Sequence, residues 1–84
     1  MMLILVIESI RHLAHRGELP RDLTRRPLAA ETTIEELAID SLGKLGLLSE
    51  LEERADVGLS EGLLHGLRTL GDMARMLETA RGTR

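Results

Sequence analysis

A chain of 84 residues is long enough for one small domain, and its lack of aromatic residues leaves Leu, Ile, Val, Met and Ala to build the core. Such a core favours small helices over a sheet, because sheets draw on β-branched and aromatic residues. The absence of cysteine excludes disulfides, thiolate metal sites and cysteine nucleophiles.

The net charge of −3 is distributed unevenly along the chain. Residues 1–30 carry five arginines against three acidic residues, residues 31–62 carry nine acidic residues against one Lys and one Arg, and residues 63–84 carry four arginines against two acidic residues. The acidic middle segment favours basic protein partners, and the scattered arginines argue against nucleic acid. The alternative is a solvated acidic face that binds no partner.

The apolar start of the chain, residues 1–7, is shorter than the run of about 20 residues that a membrane span needs. It also lacks the basic leader of a secretion signal. We therefore expect no membrane association and a cytoplasmic location.

The first predicted helix runs from Met2 to His15 and stops before Gly17. Its apolar stripe has helical spacing, and Ile4 and Leu5 widen it, so we expect the start of this helix to be well buried. The stripe consists of Leu3, Val6, Ile7, Ile10, Leu13 and Ala14.

Three polar residues of this helix, Glu8, His12 and His15, share one face. A carboxylate and two imidazoles that converge can bind a metal ion. No further ligand is evident, so we interpret them as the polar outer face of an amphipathic helix and expect no metal.

A long connection follows, and three of its leucines, Leu19, Leu23 and Leu28, are spaced to pin it to the helices. Thr33 and Glu36 then form a capping-box pattern that indicates a single helical turn. We expect the apolar residues Ile34, Leu37 and Ile39 to point into the core and hold the following segment in place.

The second predicted helix spans Ser41 to Ala55. Its leucines are too widely distributed for one narrow stripe, so we expect Leu47, Leu48 and Leu51 to face the core. Leu42 and Leu45 would form an outward apolar patch suited to a partner, the alternative being that both are core residues. Two glycines within the helix, Gly43 and Gly46, each cost about 1 kcal/mol relative to Ala.

A short third helix is predicted over residues 60–65. A fourth helix is predicted to start at Thr69, which is followed three residues later by the acidic Asp72, and to continue to about Ala80. The fourth helix has a predicted buried face of Leu70, Met73, Ala74 and Leu77, with Met76 at its edge. Residues 81–84 should fray, which leaves residues 1–80 as the domain. A nucleophilic triad of Ser41, His65 and an aspartate is conceivable, but no nucleophile elbow is present and we do not predict a hydrolase.

A family resemblance appears at residues 33–42, which end in Asp40-Ser41-Leu42 and precede a helix with an acidic end at Glu52 and Glu53. This stretch resembles the modification site of acyl and peptidyl carrier proteins. The resemblance implies an all-α four-helix bundle, with a long first loop that runs the length of the bundle and a short third helix. It also implies that Ser41 carries 4′-phosphopantetheine. Similar loops in the family have Gly where Ala38 stands.

The function implied by this resemblance is that of a carrier, not an enzyme. A phosphopantetheinyl transferase would move the group from coenzyme A to Ser41, and the thiol of the arm would hold biosynthetic intermediates as thioesters. Acyl- or aminoacyl-loading, condensing and tailoring enzymes of polyketide or nonribosomal peptide biosynthesis would be the partners. Asp40 would help place the transferase and cap the second helix, and the docking contacts would be Leu42, Leu45, Glu52 and Glu53.

Two alternatives stay open. A peptidyl carrier is the alternative within the family, although the sequence from Leu37 to Leu42 favours an acyl carrier. The other is an unmodified helical protein-interaction module in which Ser41 is only a helix N-cap. Gly43, Lys44, Gly46 and Ser49 depart from the residues that are common in the family, so the acidic docking surface is thinner than usual.

Overall fold

The computed structural model describes residues 2–59, 62 and 66–82. This part of the chain contains three α-helices. They are α1 (Met2–His15), α2 (Ser41–Ala55) and α3 (Leu70–Gly82). Two short 3-10 turns, Arg21–Thr24 and Glu35–Leu37, lie between α1 and α2. The all-α prediction is confirmed. The predicted short helix over residues 60–65 falls almost entirely outside the described residues, so a fourth helix stays a prediction.

The observed helix bounds agree closely with the predicted ones. Both α1 and α2 begin and end at the predicted residues, whereas α3 continues past Ala80 to Gly82, into a segment that we expected to fray. No proline or glycine lies between Gly71 and Gly82, so nothing in the sequence ends the helix earlier.

The core lies between the three helices and takes in both 3-10 turns. Most of the predicted inward residues of α1, α2 and α3 are buried, and Met76 is half-buried at the edge as expected. Leu3, Leu5 and Ile7, near the start of α1, are only half-buried, so this end of the helix is less buried than predicted. The prediction for Ile4 was wrong, because its side chain is 57 % exposed. At about 100° per residue, Ile4 lies on the face of α1 opposite to the fully buried Val6. The sequence reading also missed Ser9, which is buried and donates its hydroxyl to the Leu5 carbonyl at 2.8 Å.

The connection from α1 to α2 is pinned to the helices as predicted, with Leu19 and Leu23 buried and Leu28 packed against the core. The Arg11 side chain adds a polar anchor that the sequence did not indicate. Its guanidinium donates to the carbonyl oxygens of Leu23 at 3.1 Å and Arg26 at 3.2 Å.

The path of this connection differs from the expected one. A Cβ placed on Gly43, in the first turn of α2, would lie only 2.9 Å from the Cδ2 atom of Leu19. The connection therefore starts beside the end of the bundle at which α2 begins, and α1 and α2 are antiparallel. The expectation that the loop runs the length of the bundle was wrong.

The start of α3 is joined to the end of this connection by an isolated antiparallel bridge between Thr33 and Thr69. The Ile34 N–H donates to the Arg68 carbonyl at 2.8 Å, and the Leu70 N–H donates to the Thr32 carbonyl at 3.0 Å.

Within the described ranges, no helix is long and apolar enough to cross a membrane.

Candidate functional site

The first residue of α2 is Ser41, and the residue that caps the helix is Asp40. The Asp40 carboxylate accepts the Gly43 N–H at 2.7 Å, and its carbonyl accepts the Lys44 N–H at 2.9 Å. This is the N-cap arrangement, in which a side-chain oxygen satisfies one of the donors at a helix start. The prediction that Asp40 caps the helix is confirmed. The idea that Ser41 is itself the cap was wrong.

The Ser41 side chain is exposed, and its hydroxyl has no hydrogen-bond partner among the described residues. The same part of the structure offers no acceptor for the backbone N–H groups of Ser41 and Leu42. Free N–H groups and the positive end of the helix dipole favour a negatively charged group here. A hydroxyl at this place can carry a phosphodiester without breaking any contact of the fold.

Three buried side chains hold the segment before Ser41 in place. Ile34, Leu37 and Ile39 are all at least nine-tenths buried, as predicted. Between them Ala38 adopts the left-handed conformation, with φ 56° and ψ 38°. This backbone conformation favours glycine, since a Cβ crowds the following carbonyl. A glycine at this position would adopt the turn without strain, and Ala38 keeps the turn at some cost.

The Thr33–Glu36 turn is a capping box, as the sequence indicated. The Thr33 N–H donates to the Glu36 carboxylate at 2.7 Å, and the Glu36 N–H donates to the Thr33 hydroxyl oxygen at 3.1 Å. The Thr33 N–H, with help from its hydroxyl and from Arg26, holds the pKa of the Glu36 carboxyl below its ordinary value. The turn that leads to Ser41 therefore favours the ionised form of Glu36.

The two glycines of α2 have different surroundings. A Cβ on the buried Gly43 would lie 2.9 Å from both Ile39 Cγ2 and Leu19 Cδ2, so only glycine fits there without a shift. A Cβ on Gly46 would meet only Glu18 Oε1, at 3.9 Å. Gly43 thus lets the loop before Ser41 pack tightly onto the first turn of the helix, which the sequence alone did not indicate.

An apolar patch lies beside Ser41. Leu42 is 79 % exposed and Leu45 is 39 % exposed, whereas Leu47, Leu48 and Leu51 are buried. This confirms the predicted division of the leucines between surface and core.

The acidic end of α2 is partly used by the fold itself. The Glu52 carboxylate is half-buried and accepts the Leu59 N–H at 2.8 Å, and Glu50 pairs with Arg54 at 2.7 Å. Glu53 is exposed. The docking role of Glu52 and Glu53 stays a prediction.

A cleft opens between the first turn of α2, the loop before it and the start of α3. Three charged residues, Lys44, Arg68 and Glu35, contribute to its lining. Its other lining residues are Thr33, Ile34, Ile39, Leu67 and Met73.

Two other candidate sites are a metal site on α1 and a nucleophilic triad that includes Ser41. Glu8, His12 and His15 are exposed on α1, and no group of three or more metal-binding side chains occurs among the described residues. His65 lies outside the described residues, so the conceivable triad with Ser41 has no structural counterpart to report.

A similarity to a known protein family bears on the site at Ser41. A family model described as phosphopantetheine attachment site matches residues 17–77, which is more than half of the chain. Comparisons with curated proteins and with solved structures give no match. Proteins of this family carry 4′-phosphopantetheine covalently on a serine and interact with phosphopantetheinyl transferases and biosynthetic enzymes. The chain belongs to the family of phosphopantetheine-binding carrier proteins.

Proposed function

We propose that this chain is an acyl carrier protein and that Ser41 carries its phosphopantetheine arm. The observation behind this proposal is the open start of α2, where Asp40 does the capping and the Ser41 hydroxyl is exposed and unengaged within the described chain. The family match supplies the chemistry, since carrier domains of this family hold substrates and are not themselves catalytic.

The residues around Ser41 fit the group. The Ser41 and Leu42 N–H groups can donate to a phosphodiester oxygen, and the helix dipole stabilises its negative charge. When attached, the arm supplies a terminal thiol that forms thioesters, a group that this cysteine-free chain otherwise lacks. Asp40 keeps the helix start fixed, so that Ser41 is presented in one orientation.

Partner enzymes would dock around the same helix start. Leu42 and Leu45 offer an exposed apolar surface next to Ser41, and exposed apolar residues of this kind are typical of partner sites. Asp40 is exposed beside this patch, and Glu53 is exposed farther along α2. Glu52 would contribute through the part of its carboxylate that the Leu59 N–H does not occupy.

The acyl assignment depends on the sequence of the loop and helix start, from Leu37 to Leu42. It is tested by offering the phosphopantetheinylated protein to an acyl-loading enzyme and to an aminoacyl-loading enzyme, and by measuring thioester formation as a change in intact mass. Faster acylation supports an acyl carrier. Faster aminoacylation would instead make the chain a peptidyl carrier.

Modification itself is tested by incubating the chain with coenzyme A, magnesium and a promiscuous phosphopantetheinyl transferase, and then measuring its intact mass. We expect the wild type to gain one phosphopantetheine and Ser41→Ala to gain none. The matched control is Ser49→Ala, which removes another exposed serine of α2 and should be modified like the wild type. A folded wild type that gains nothing with several transferases would point to an unmodified interaction module.

A further inference from the structure

A second surface of the molecule, distinct from the Ser41 site, carries an excess of positive charge. A cleft between the end of α1 and the first 3-10 turn is lined by four arginines and only one acidic residue, Asp22. The arginines are Arg16, Arg21, Arg25 and Arg26, and His15 lies beside them. We call this the basic cleft.

Two of the four arginines serve the fold and two do not. Arg16 pairs with Glu18 at 3.0 Å. Arg26 pairs with Glu36 at 3.1 Å and with Asp22, the acidic residue of the cleft, at 4.0 Å. Arg21 and Arg25 are exposed and have no ion pair within the described chain.

The backbone that presents these arginines is well anchored. Leu23 is fully buried, and the Arg11 guanidinium holds its carbonyl. The N–H groups of Arg25 and Arg26 both donate to the Asp22 carbonyl, at 3.1 and 2.9 Å. A fixed backbone lowers the entropy that a ligand must remove when it binds to the cleft.

We propose that the basic cleft binds an acidic segment of a partner protein. Guanidinium groups bind carboxylates in a bidentate manner. Arg21 begins the first 3-10 turn and Arg25 follows directly after its end, so the two free arginines are four residues apart. A cleft, as opposed to a flat face, fits an extended segment. A long polyanion is disfavoured, because it would extend past the cleft and be repelled by the rest of the chain. The chain as a whole carries a net charge of −3, and most of its acidic residues lie in residues 31–62.

The position of the basic cleft makes this interaction relevant to the carrier role. Leu19, four residues after the end of α1, lies against Gly43 in the first turn of α2. A partner held in the cleft would therefore be close to the end of the bundle that carries Ser41. This consequence rests on the proposed function, whereas binding of the acidic segment does not.

The test is a titration of the unmodified, isotope-labelled protein with an octaglutamate peptide, followed by backbone amide shifts. We expect the largest shifts in residues 15–26. The double variant Arg21→Gln/Arg25→Gln should bind about fivefold more weakly, as the loss of two exposed ion pairs implies. The control Arg68→Gln/Arg81→Gln removes the same charge from exposed positions elsewhere and should bind like the wild type. Equal weakening in both double variants, or no shifts at the cleft, would overturn the proposal.

Parallel titrations use a short DNA duplex and vesicles that contain phosphatidylserine. Tighter binding of either one through Arg21 and Arg25 would overturn the proposal in favour of a polyanion or membrane site. The octaglutamate titration is repeated with Ser41→Ala, which cannot be modified at that residue. Retained binding in this variant, alongside a failed modification assay of the wild type, would reject the carrier assignment and leave the acidic-segment site standing.

Discussion

The starts of α2 and α3 differ in how their backbone donors are satisfied, and the difference distinguishes an open helix start from a closed one. At α3 the Asp72 carboxylate accepts the N–H groups of Arg68 at 3.0 Å and Thr69 at 3.1 Å. The Thr69 hydroxyl in turn accepts the Asp72 N–H at 3.0 Å. This reciprocal capping closes the start of the helix.

The backbone N–H groups of the first two residues of α3 also have acceptors. The Leu70 N–H bonds to the Thr32 carbonyl, and the Gly71 N–H bonds to the Ala30 carbonyl at 2.8 Å. A Cβ on Gly71 would lie 3.1 Å from that same Ala30 oxygen, so the approach is close. The Leu70 and Gly71 donors thus hold the start of α3 to the loop.

At α2 the Asp40 carboxylate accepts only the Gly43 N–H, and the described chain leaves the Ser41 and Leu42 donors open. One helix start is used to build the fold, and the other is left available to a ligand. A helix start can serve either purpose, because the same unsatisfied N–H groups bind a side chain, a carbonyl or an anion.

The largest expected effect concerns the packing beneath the open start. Gly43→Ala should destabilise the protein by about 1–2 kcal/mol, since crowding against Ile39 and Leu19 outweighs the better helix propensity of Ala. Gly46→Ala, with open space around it, should stabilise by about 1 kcal/mol. Urea unfolding followed by circular dichroism measures both variants. A shift of the same sign in both would show that the close contact at Gly43 is not real.

A second prediction compares the two helix starts directly. Thr69→Ala should cost about 1 kcal/mol of stability, because it removes a cap from the closed start. Ser41→Ala should change stability by less than about 0.5 kcal/mol, because its hydroxyl makes no contact in the described chain. The same urea experiment measures the pair. Equal losses would mean that Ser41 also supports the fold, contrary to the distinction drawn between the two starts.

A third prediction concerns the turn that delivers Ser41. Ala38→Gly should stabilise the protein by about 0.5–1 kcal/mol, because relief of left-handed strain exceeds the added entropy of the unfolded chain. The matched control is Ala29→Gly in the same connection, whose φ is not positive and which should gain nothing. Loss of stability in Ala38→Gly would contradict the positive φ.

The smallest expected effect is a dependence of stability on pH. The Arg68 and Thr69 N–H groups, with help from Arg75, lower the pKa of Asp72 below its ordinary value. A lowered pKa in the folded state gives stability that is present above the unfolded value, near 4, and is lost as pH falls through the folded pKa.

The measurement is the urea midpoint of the wild type and of Asp72→Asn between neutral pH and about pH 3. The wild type should lose its advantage over Asp72→Asn as the pH falls. A difference that stays constant with pH would mean that the Asp72 charge does not stabilise the start of α3.

The sequence predicted what depends on local pattern. Periodicity located the three described helices, the Thr-x-x-acid spacing located both capping boxes, and the leucine pattern separated Leu42 and Leu45 from the core. Features that depend on distant residues were not predictable. The need for Gly43 arises from Leu19, more than twenty residues earlier. The anchor role of Arg11 depends on the path of the loop.

The most direct test of the open helix start is to locate the modification within the tryptic peptide that ends at Lys44. This peptide contains three hydroxyl residues, Thr32, Thr33 and Ser41. Thr32 accepts the Ala29 N–H and Thr33 belongs to a capping box, so only Ser41 has an unengaged hydroxyl. Fragmentation of the peptide from transferase-treated wild type should place the phosphopantetheine on Ser41. Its detection on either threonine, or on a different peptide, would contradict the account.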